Sequence, residues 1–231
     1  MNPGVLVLRP EPGAATTAER AMKMGFAAVT APLFKIVPVS WDAPEGIEAL
    51  VLTSANAVRH GGEKLSAFHH IPVIAVAAAT AAAAEEAGFT DVIIGGGTVE
   101  SLASLVGGRS PAAILHPHGA EHRPLPIDGI ISRTVYAAEP VAQLPEAARA
   151  ALDAGCIALI HSAVAGATFA MLVDLASLDR ATVRLAAISA AALSAAGGGW
   201  AGSAVAASPT DDAVLAAARR LCDQAWQDGA G

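Results

Sequence analysis

The sequence is poor in the residues that usually carry identifiable chemistry. Two cysteines in 231 residues exclude a disulfide scaffold and a four-cysteine zinc site. Cys156 and Cys222 read most simply as small buried hydrophobes in a reducing compartment. Aromatic residues are only 4%, so the core has to be packed by Ala, Val, Leu and Ile. Positive charge is also scarce. Fourteen Lys and Arg against twenty-one Asp and Glu give a net charge of −7, which argues against nucleic-acid and anionic-membrane partners. The N-terminus, MNPGVLVLRPEP, has an apolar run of four residues and no basic lead, so no signal peptide is expected. The long uncharged stretch from Leu185 to Ser208 could span a membrane by length, but it is mostly Ala, Ser and Gly, with Gly197, Gly198 and Gly199 at its centre. A cytoplasmic protein is the expectation.

What the chain does have is 54% hydrophobic content, which excludes disorder. It is organised as short apolar runs alternating with Ala-rich segments. The runs predict strands at 4–8, 27–31, 49–53, 72–77, 91–94, 112–116, 129–133, 157–161, 184–188 and 203–207. Helices are predicted at 14–24, 56–66, 79–87, 99–106, 142–152, 163–175, 190–196 and 211–225. Continuous apolar strands separated by helices imply an α/β fold with parallel sheets covered on both faces. The length suits two small doubly wound domains better than one barrel.

A weak internal repeat supports two domains. ALVLTSANAVRH (49–60) and IALIHSAVAGAT (157–168) are each an apolar strand ending at a Ser that opens a helix. IAVAAATAAAAEEAGF (74–89) pairs with LAAISAAALSAAGG (185–198), and GGGTVESLASL (95–105) with AASPTDDAVLAAARRL (206–221). Ser54 to Thr80 is 26 positions against 27 from Ser162 to Ser189, and Thr80 to Thr98 is 18, as is Ala192 to Thr210. The first block ends in a strand-loop unit, AILHPHGAEHRPLP (113–126). The second lacks one, and GVLVLRPEPGAA (4–15) at the N-terminus supplies it. The expected domains are therefore 1–31 plus 142–231, discontinuous, and 40–132 inserted within it. Segments 32–39 and 133–141 would be β-linker strands pairing antiparallel.

Ligands of doubly wound sheets bind outside the carboxyl ends of the strands. Those ends are small, hydroxyl-bearing or glycine-rich here: Arg9 to Gly13, Thr53-Ser54-Ala55-Asn56, Ala77-Ala78-Ala79-Thr80, Gly95 to Thr98, His116-Pro117-His118-Gly119, His161-Ser162-Ala163 and Ser189-Ala190-Ala191. Open amides at helix starts hold anions through the backbone, so a polyanion could be bound without many lysines. Any one such Ser or Thr could be an ordinary N-cap, and the repetition carries the reading. No nucleotide fingerprint accompanies them: GGGT at 95–98 lacks the rest of GxGxxG or a P-loop, and there is no G-x-S-x-G elbow. His116, His118 and His122 with Glu121 could suggest a metal, but Pro117 and an expected loop turn separate them. Contact with a substrate carboxylate from His116, His118 or Arg123 is the preferred reading. His60, His69 and His70 look like solvated helix ends, and His161 either faces the cleft or belongs to the core. Tyr136, the only tyrosine, lies on the second crossing segment. It could donate a hydrogen bond to a leaving oxygen, or simply pack there with its hydroxyl in water.

In order and spacing, VLVLRPEP (5–12), LVLTSANAV (50–58), VIAVAAATAAAAEEAGF (73–89), IGGGTVESLASL (94–105), ILHPHGAEHR (114–123), TVYAAEPV (134–141), IALIHSAVA (157–165), LAAISAAAL (185–193) and VAASPTDDAVLAA (205–217) resemble the uroporphyrinogen-III synthase family over nearly the whole chain. The resemblance implies two flavodoxin-like α/β domains joined by a two-stranded β-linker. It implies a substrate, hydroxymethylbilane, with eight carboxylates, cyclised with inversion of ring D through an azafulvene and a spiro intermediate. It implies no metal, no organic cofactor and, as read here, a monomer with its site between the domains. Tyr136 matches the family's linker tyrosine and, with Thr80, is taken as catalytic. Arg9, Ser54, Ala55, Asn56, Ala78, His116, Gly119, Arg123, Ser162, Ala163, Ser189 and Ala190 are taken as substrate-binding. The chain departs from the family pattern at Ala77, at His161 to Val164 and at Ala192. The rivals are a non-catalytic two-domain binder of a small polyanion, an inactive paralogue and, disfavoured by the missing phosphate loop, a nucleotide-dependent transferase.

Overall fold

The computed structural model describes residues 4–96, 110, 113–122, 124, 125, 127 and 129–228. Contacts divide the chain into two compact units, one of Met1–Lys35 with Pro140–Gly231 and one of Ile36–Glu139.

In the first unit the apolar runs form β1 (Gly4–Val7), β2 (Ala27–Thr30), β9 (Ile157–Ile160), β10 (Arg184–Ala187) and β11 (Gly202–Val205). Numbering them along the whole chain leaves β3 to β8 for the second unit. They pair in parallel in the order β11-β10-β9-β1-β2. Alternate residues of each strand face opposite ways. Leu6, Leu8, Ala158, Ile160, Leu185 and Ala187 are buried on one face under α5 (Glu146–Asp153), α6 (Ala163–Leu175) and α7 (Ala190–Ala196). Val5, Val7, Ile157, Leu159 and Ala186 are buried on the other under α1 (Gly13–Lys23) and α8 (Asp211–Asp228). Burial on both faces explains why these strands read as continuous apolar runs. Each buried Leu or Ile contributes about 1.5–3 kcal/mol.

The second sheet, which apart from Phe34, Lys35 and Pro140 belongs to the second unit, holds β3 (Phe34–Pro38), β4 (Ala49–Leu52), β5 (Val73–Ala75), β6 (Val92–Ile94), β7 (Ile114–Gly119) and β8 (Ile131–Pro140), in the order β3-β8-β7-β4-β5-β6. Its helices include α2 (Ala55–His60), α3 (Glu63–Ser66) and α4 (Ala78–Glu86). β4 to β8 are mutually parallel. β3 is antiparallel to β8, since the Val39 amide donates to Val135 and, in the other unit, the Val141 amide donates to Leu33. In chain order the first unit's sheet runs 2-1-3-4-5. That of the second, without β3, runs 3-2-1-4-5, a circular permutation of the same arrangement with β7 and β8 in the places of β1 and β2.

Several boundaries differ from expectation. The helix expected at 56–66 is two, α2 and α3. Gly62 adopts φ +67°, and a Cβ on Gly61 would lie 2.7 Å from the Ala57 carbonyl oxygen. The strand expected to end at 116 continues through Pro117 to Gly119. β4 pairs with β7 only at Ile114 and Leu115, so the missing Pro117 amide interrupts no ladder on that side. The strand expected at 129–133 and the linker at 133–141 are one strand, β8. The helix expected at 142–152 starts at Glu146, after Pro145. Counted from the strand register within each sheet, Ser189 corresponds to Ala77 and Thr80 to Ala192, the match that the second of the two sequence intervals implied. The helix expected at 99–106, with Thr98 as its cap, lies outside the described residues.

Candidate active site

A doubly wound sheet opens a crevice where successive connections leave in opposite directions. In the second unit this falls between β4 and β7. Ser54, extended at φ −149°, caps α2 by accepting from the Asn56 amide at 3.2 Å. This leaves the Ala55 amide without an intrahelical acceptor. The Tyr136 hydroxyl lies 3.2 Å from Ser54 Oγ, and its ring is half-buried. The register opposes Gly119 to Tyr136, and a Cβ on Gly119 would come within 2.6 Å of two ring carbons and 2.9 Å of the hydroxyl. Gly119 therefore serves as the floor beneath the phenol. The His60 ring stands 6.2 Å from that of Tyr136. Burial, then the Arg59 charge, lowers the pKa of His60.

Beside it, His116 is 1% exposed with Nε2 3.1 Å from Thr53 Oγ1, a link across the crevice from β7 to the end of β4. Among the described residues its buried Nδ1 has no hydrogen-bond partner. Burial, reinforced by His118 and His122, pushes its pKa down to about 3. His118 donates from Nδ1 to the Gly119 carbonyl at 2.7 Å and stacks on His122, with centroids 3.4 Å apart. Burial lowers its pKa, the carbonyl opposes that shift, and His122 adds to it. The three imidazoles thus converge more than the sequence suggested, because Pro117 lies in a strand and His116 and His118 share a face. Among the described residues no group of three or more His, Cys, Asp and Glu is placed to hold a metal. Buried and low in pKa, His116 would meet a carboxylate as a neutral N–H donor.

Thr80 is buried in the first turn of α4, whose N-cap, Ala77, supplies no side-chain bond, so the Ala78 amide is open. Among the described residues no hydrogen bond joins Thr80 to Tyr136 or Ser54. Arg123 lies outside the described residues.

In the first unit the crevice falls between β1 and β9. Ser162 caps α6 through the Ala165 amide at 3.0 Å, and Ser189 caps α7 through the Ala192 amide at 3.2 Å. Each cap leaves first-turn amides open, those of Ala163 and Ala190 foremost. Arg9 is not free. Its Nη1 lies 3.2 Å from Asp211 Oδ1 and 3.5 Å from Thr17 Oγ1, and Thr17 donates to Asp211 Oδ2 at 2.9 Å. A Cβ on Gly13 would sit 2.5 Å from Arg9 Nε. His161 Nε2 is also 3.2 Å from Asp211 Oδ1, off hydrogen-bond geometry. Burial, then Arg9, lowers its pKa, while Asp211 opposes the shift. Arg9 thus enters its expected role as a substrate contact already paired with Asp211, its side chain 36% exposed, and the Ala163 and Ala190 amides lie at the same edge. Asp211 and Thr17 were missed in the sequence because Asp211 follows Thr210, the helix cap, and reads as an ordinary first-turn acid.

Fold and crevices together define a two-unit doubly wound α/β protein with hydroxyl-capped helix starts at its strand ends. The family model described as uroporphyrinogen-III synthase HemD matches residues 15–216. The chain belongs to the uroporphyrinogen-III synthase family. A crystal structure of uroporphyrinogen-III synthetase from Helicobacter pylori shares the fold at TM-score 0.60 and 20% identity, covering 96% of this chain and 100% of that one. Uroporphyrinogen III synthase from Thermus thermophilus aligns at 18% identity over 99% of this chain and 100% of that one, with TM-score 0.41. No curated protein sequence matches the chain.

Proposed function

We propose that the chain is a uroporphyrinogen-III synthase, a cyclising lyase that converts hydroxymethylbilane to uroporphyrinogen III and water in tetrapyrrole biosynthesis. The observation that carries this reading is the phenol of Tyr136 set between Ser54 Oγ and Gly119 at the β4–β7 crevice. Ring A of the linear tetrapyrrole loses its hydroxyl. The C–O bond breaks, the phenol hydrogen-bonds the departing oxygen, and the pyrrole nitrogen gives up its proton to leave an azafulvene. The substituted carbon of ring D attacks this electrophile, giving a spiro species that opens and recloses as the inverted isomer. The chemistry asks for folding and charge placement rather than a strong acid. Thr80 is read as an assisting hydroxyl. The open amides of Ala55, Ala78, Ala163 and Ala190, with Asn56, Ser162, Ser189 and Arg123, are read as carboxylate contacts.

The reading takes the protein as a cytoplasmic monomer without cofactor. No helix among the described residues is long and apolar enough to cross a membrane. The test supplies enzymatically generated hydroxymethylbilane and resolves the product isomers. Type III product is expected from the parent, and Tyr136→Phe should slow its formation about tenfold or more with little change in KM. Type I product alone, at the uncatalysed rate, overturns the proposal.

A further inference from the structure

At the crevice of the first unit, one cation leaves most of its donors unused. The Arg9 guanidinium has five N–H donors in a fixed plane. Nη1 is engaged: it donates to Asp211 Oδ1 at 3.2 Å and to Thr17 Oγ1 at 3.5 Å. Among the described residues no hydrogen bond is made by Nε or Nη2. One N–H from each of these atoms points the same way, in the fork that matches the two oxygens of a carboxylate. The side chain of Arg9 is 36% exposed and that of Asp211 13%, so the pair is enclosed at the acid and open at the arginine.

The groups that hold Nη1 are themselves fixed. Thr17 is fully buried on α1 and donates to Asp211 Oδ2 at 2.9 Å, so each carboxylate oxygen has a partner. His161, its side chain 7% exposed, stands against the acid with Nε2 3.2 Å from Oδ1 and makes no hydrogen bond from that atom. Gly13 opens α1 against the guanidinium. A Cβ there would lie 2.5 Å from Nε, 2.8 Å from Cζ and 3.0 Å from Nη2. A point that close to Cζ as well as to both nitrogens lies over the face of the group, not off its edge. Glycine thus lets Arg9 lie flat on the helix start and leaves the Nε–Nη2 edge uncovered.

We infer that Asp211 and Thr17 are positioning residues that pin Arg9 by Nη1 on the bed of Gly13, so that its Nε–Nη2 edge grips one substrate carboxylate with two hydrogen bonds. This rests on the synthase reading above and adds a side-chain cation to the main-chain amides of the first unit. An arginine already held in place loses little rotamer freedom when the carboxylate arrives.

The experiment uses the full chain. Gly13→Ala keeps every charge and suits a helix, but its Cβ drives the guanidinium off its bed. Asp211→Ala releases Nη1, and Arg9→Lys keeps the charge without the fork. Each should raise KM for hydroxymethylbilane about tenfold, with kcat changed by less than about twofold. Asp211→Asn keeps an acceptor for Nη1 and should recover most of the loss. Urea unfolding of Gly13→Ala should match the parent, which separates lost affinity from lost fold. In the Arg9→Lys background, Asp211→Ala should raise KM by less than about twofold more, because Asp211 acts through Arg9. An equal effect in both backgrounds, or a KM unmoved by Gly13→Ala, overturns the inference.

A second measurement needs no substrate. The Arg9 Nε–H resonance, assigned by its loss in Arg9→Lys, should shift saturably when citrate, a small tricarboxylate, is added at constant ionic strength. Gly13→Ala should abolish that response. A resonance indifferent to citrate overturns the inference. A parent that binds citrate at Arg9 yet forms no uroporphyrinogen III removes the synthase reading and leaves the carboxylate grip standing.

Discussion

His116 is a buried imidazole whose burial makes a pH prediction. Its pKa is lowered from 6.5 to about 3 by burial first and by its two histidine neighbours next. Between those values the unfolded chain holds a proton that the folded chain does not. Unfolding therefore takes up a proton in that window, and stability rises with pH through it. The slope from one such group is at most about 1.4 kcal/mol per pH unit. His118 and His161 are shifted in the same direction and act with the same sign. Urea unfolding at pH 7 and pH 5 should show the parent weaker at pH 5. His116→Gln, which keeps a polar group near Thr53, should lose much of that difference. A variant with the parent's full pH dependence would place the effect elsewhere.

The sequence drew attention to His116 by its company, not by its burial. Burial depends on β4 and β8 flanking β7, which no local pattern reveals. Ser162 and Ser189 were legible as caps because capping is settled within three residues. The pairing of Arg9 with Asp211 spans most of the chain and was not.

At the scale of elements, strands were read well wherever both faces are buried, as in β4 and β9, since an unbroken apolar run is then the signature. Errors came where a long-range partner decides. β8 is ten residues of moderate hydrophobicity, held on one side by β7 and on the other by β3. Its polar start, Ser132 to Thr134, reads locally as a break. The division between α2 and α3 is the opposite case, because its cause was visible in Gly61-Gly62 and was underweighted. Gly62 stands at φ +67° and ψ −168°, a region essentially reserved for glycine. Gly62→Ala should therefore cost about 1–3 kcal/mol even though open space surrounds the position. Urea titration checks this. A neutral result would mean that α2 and α3 rejoin as one helix, which the Gly61 contact with the Ala57 carbonyl oxygen opposes.

For the whole molecule, the two units differ in how the chain supplies them. The permuted repeat was legible because strand-end residues recur at similar intervals, and strand register decides between the two matches those intervals allow for Thr80, in favour of Ala192 over Ser189. The unit of Ile36–Glu139 is continuous in sequence, whereas the other is assembled from Met1–Lys35 and Pro140–Gly231. In that second case β1 is an inner strand, pairing with β2 on one side and β9 on the other. Val5, Leu6, Val7 and Leu8 are fully buried, two on each face of the sheet. A fragment 140–231 would expose the edge of β9, the apolar face of α5 that β1 and β2 cover and the part of α8 that α1 covers. Losing four such side chains from the core removes about 1.5–3 kcal/mol each, enough to exhaust the stability of an ordinary domain. The fragment should therefore lack a cooperative urea transition, while fragment 36–139 should retain one. Adding a peptide of residues 1–35 to fragment 140–231 should restore the transition, since the missing strand need not be covalently attached to pair. Cooperative unfolding of 140–231 alone would mean that β9 can close the sheet without β1, and that residues 1–35 are an accessory to this unit instead of its centre.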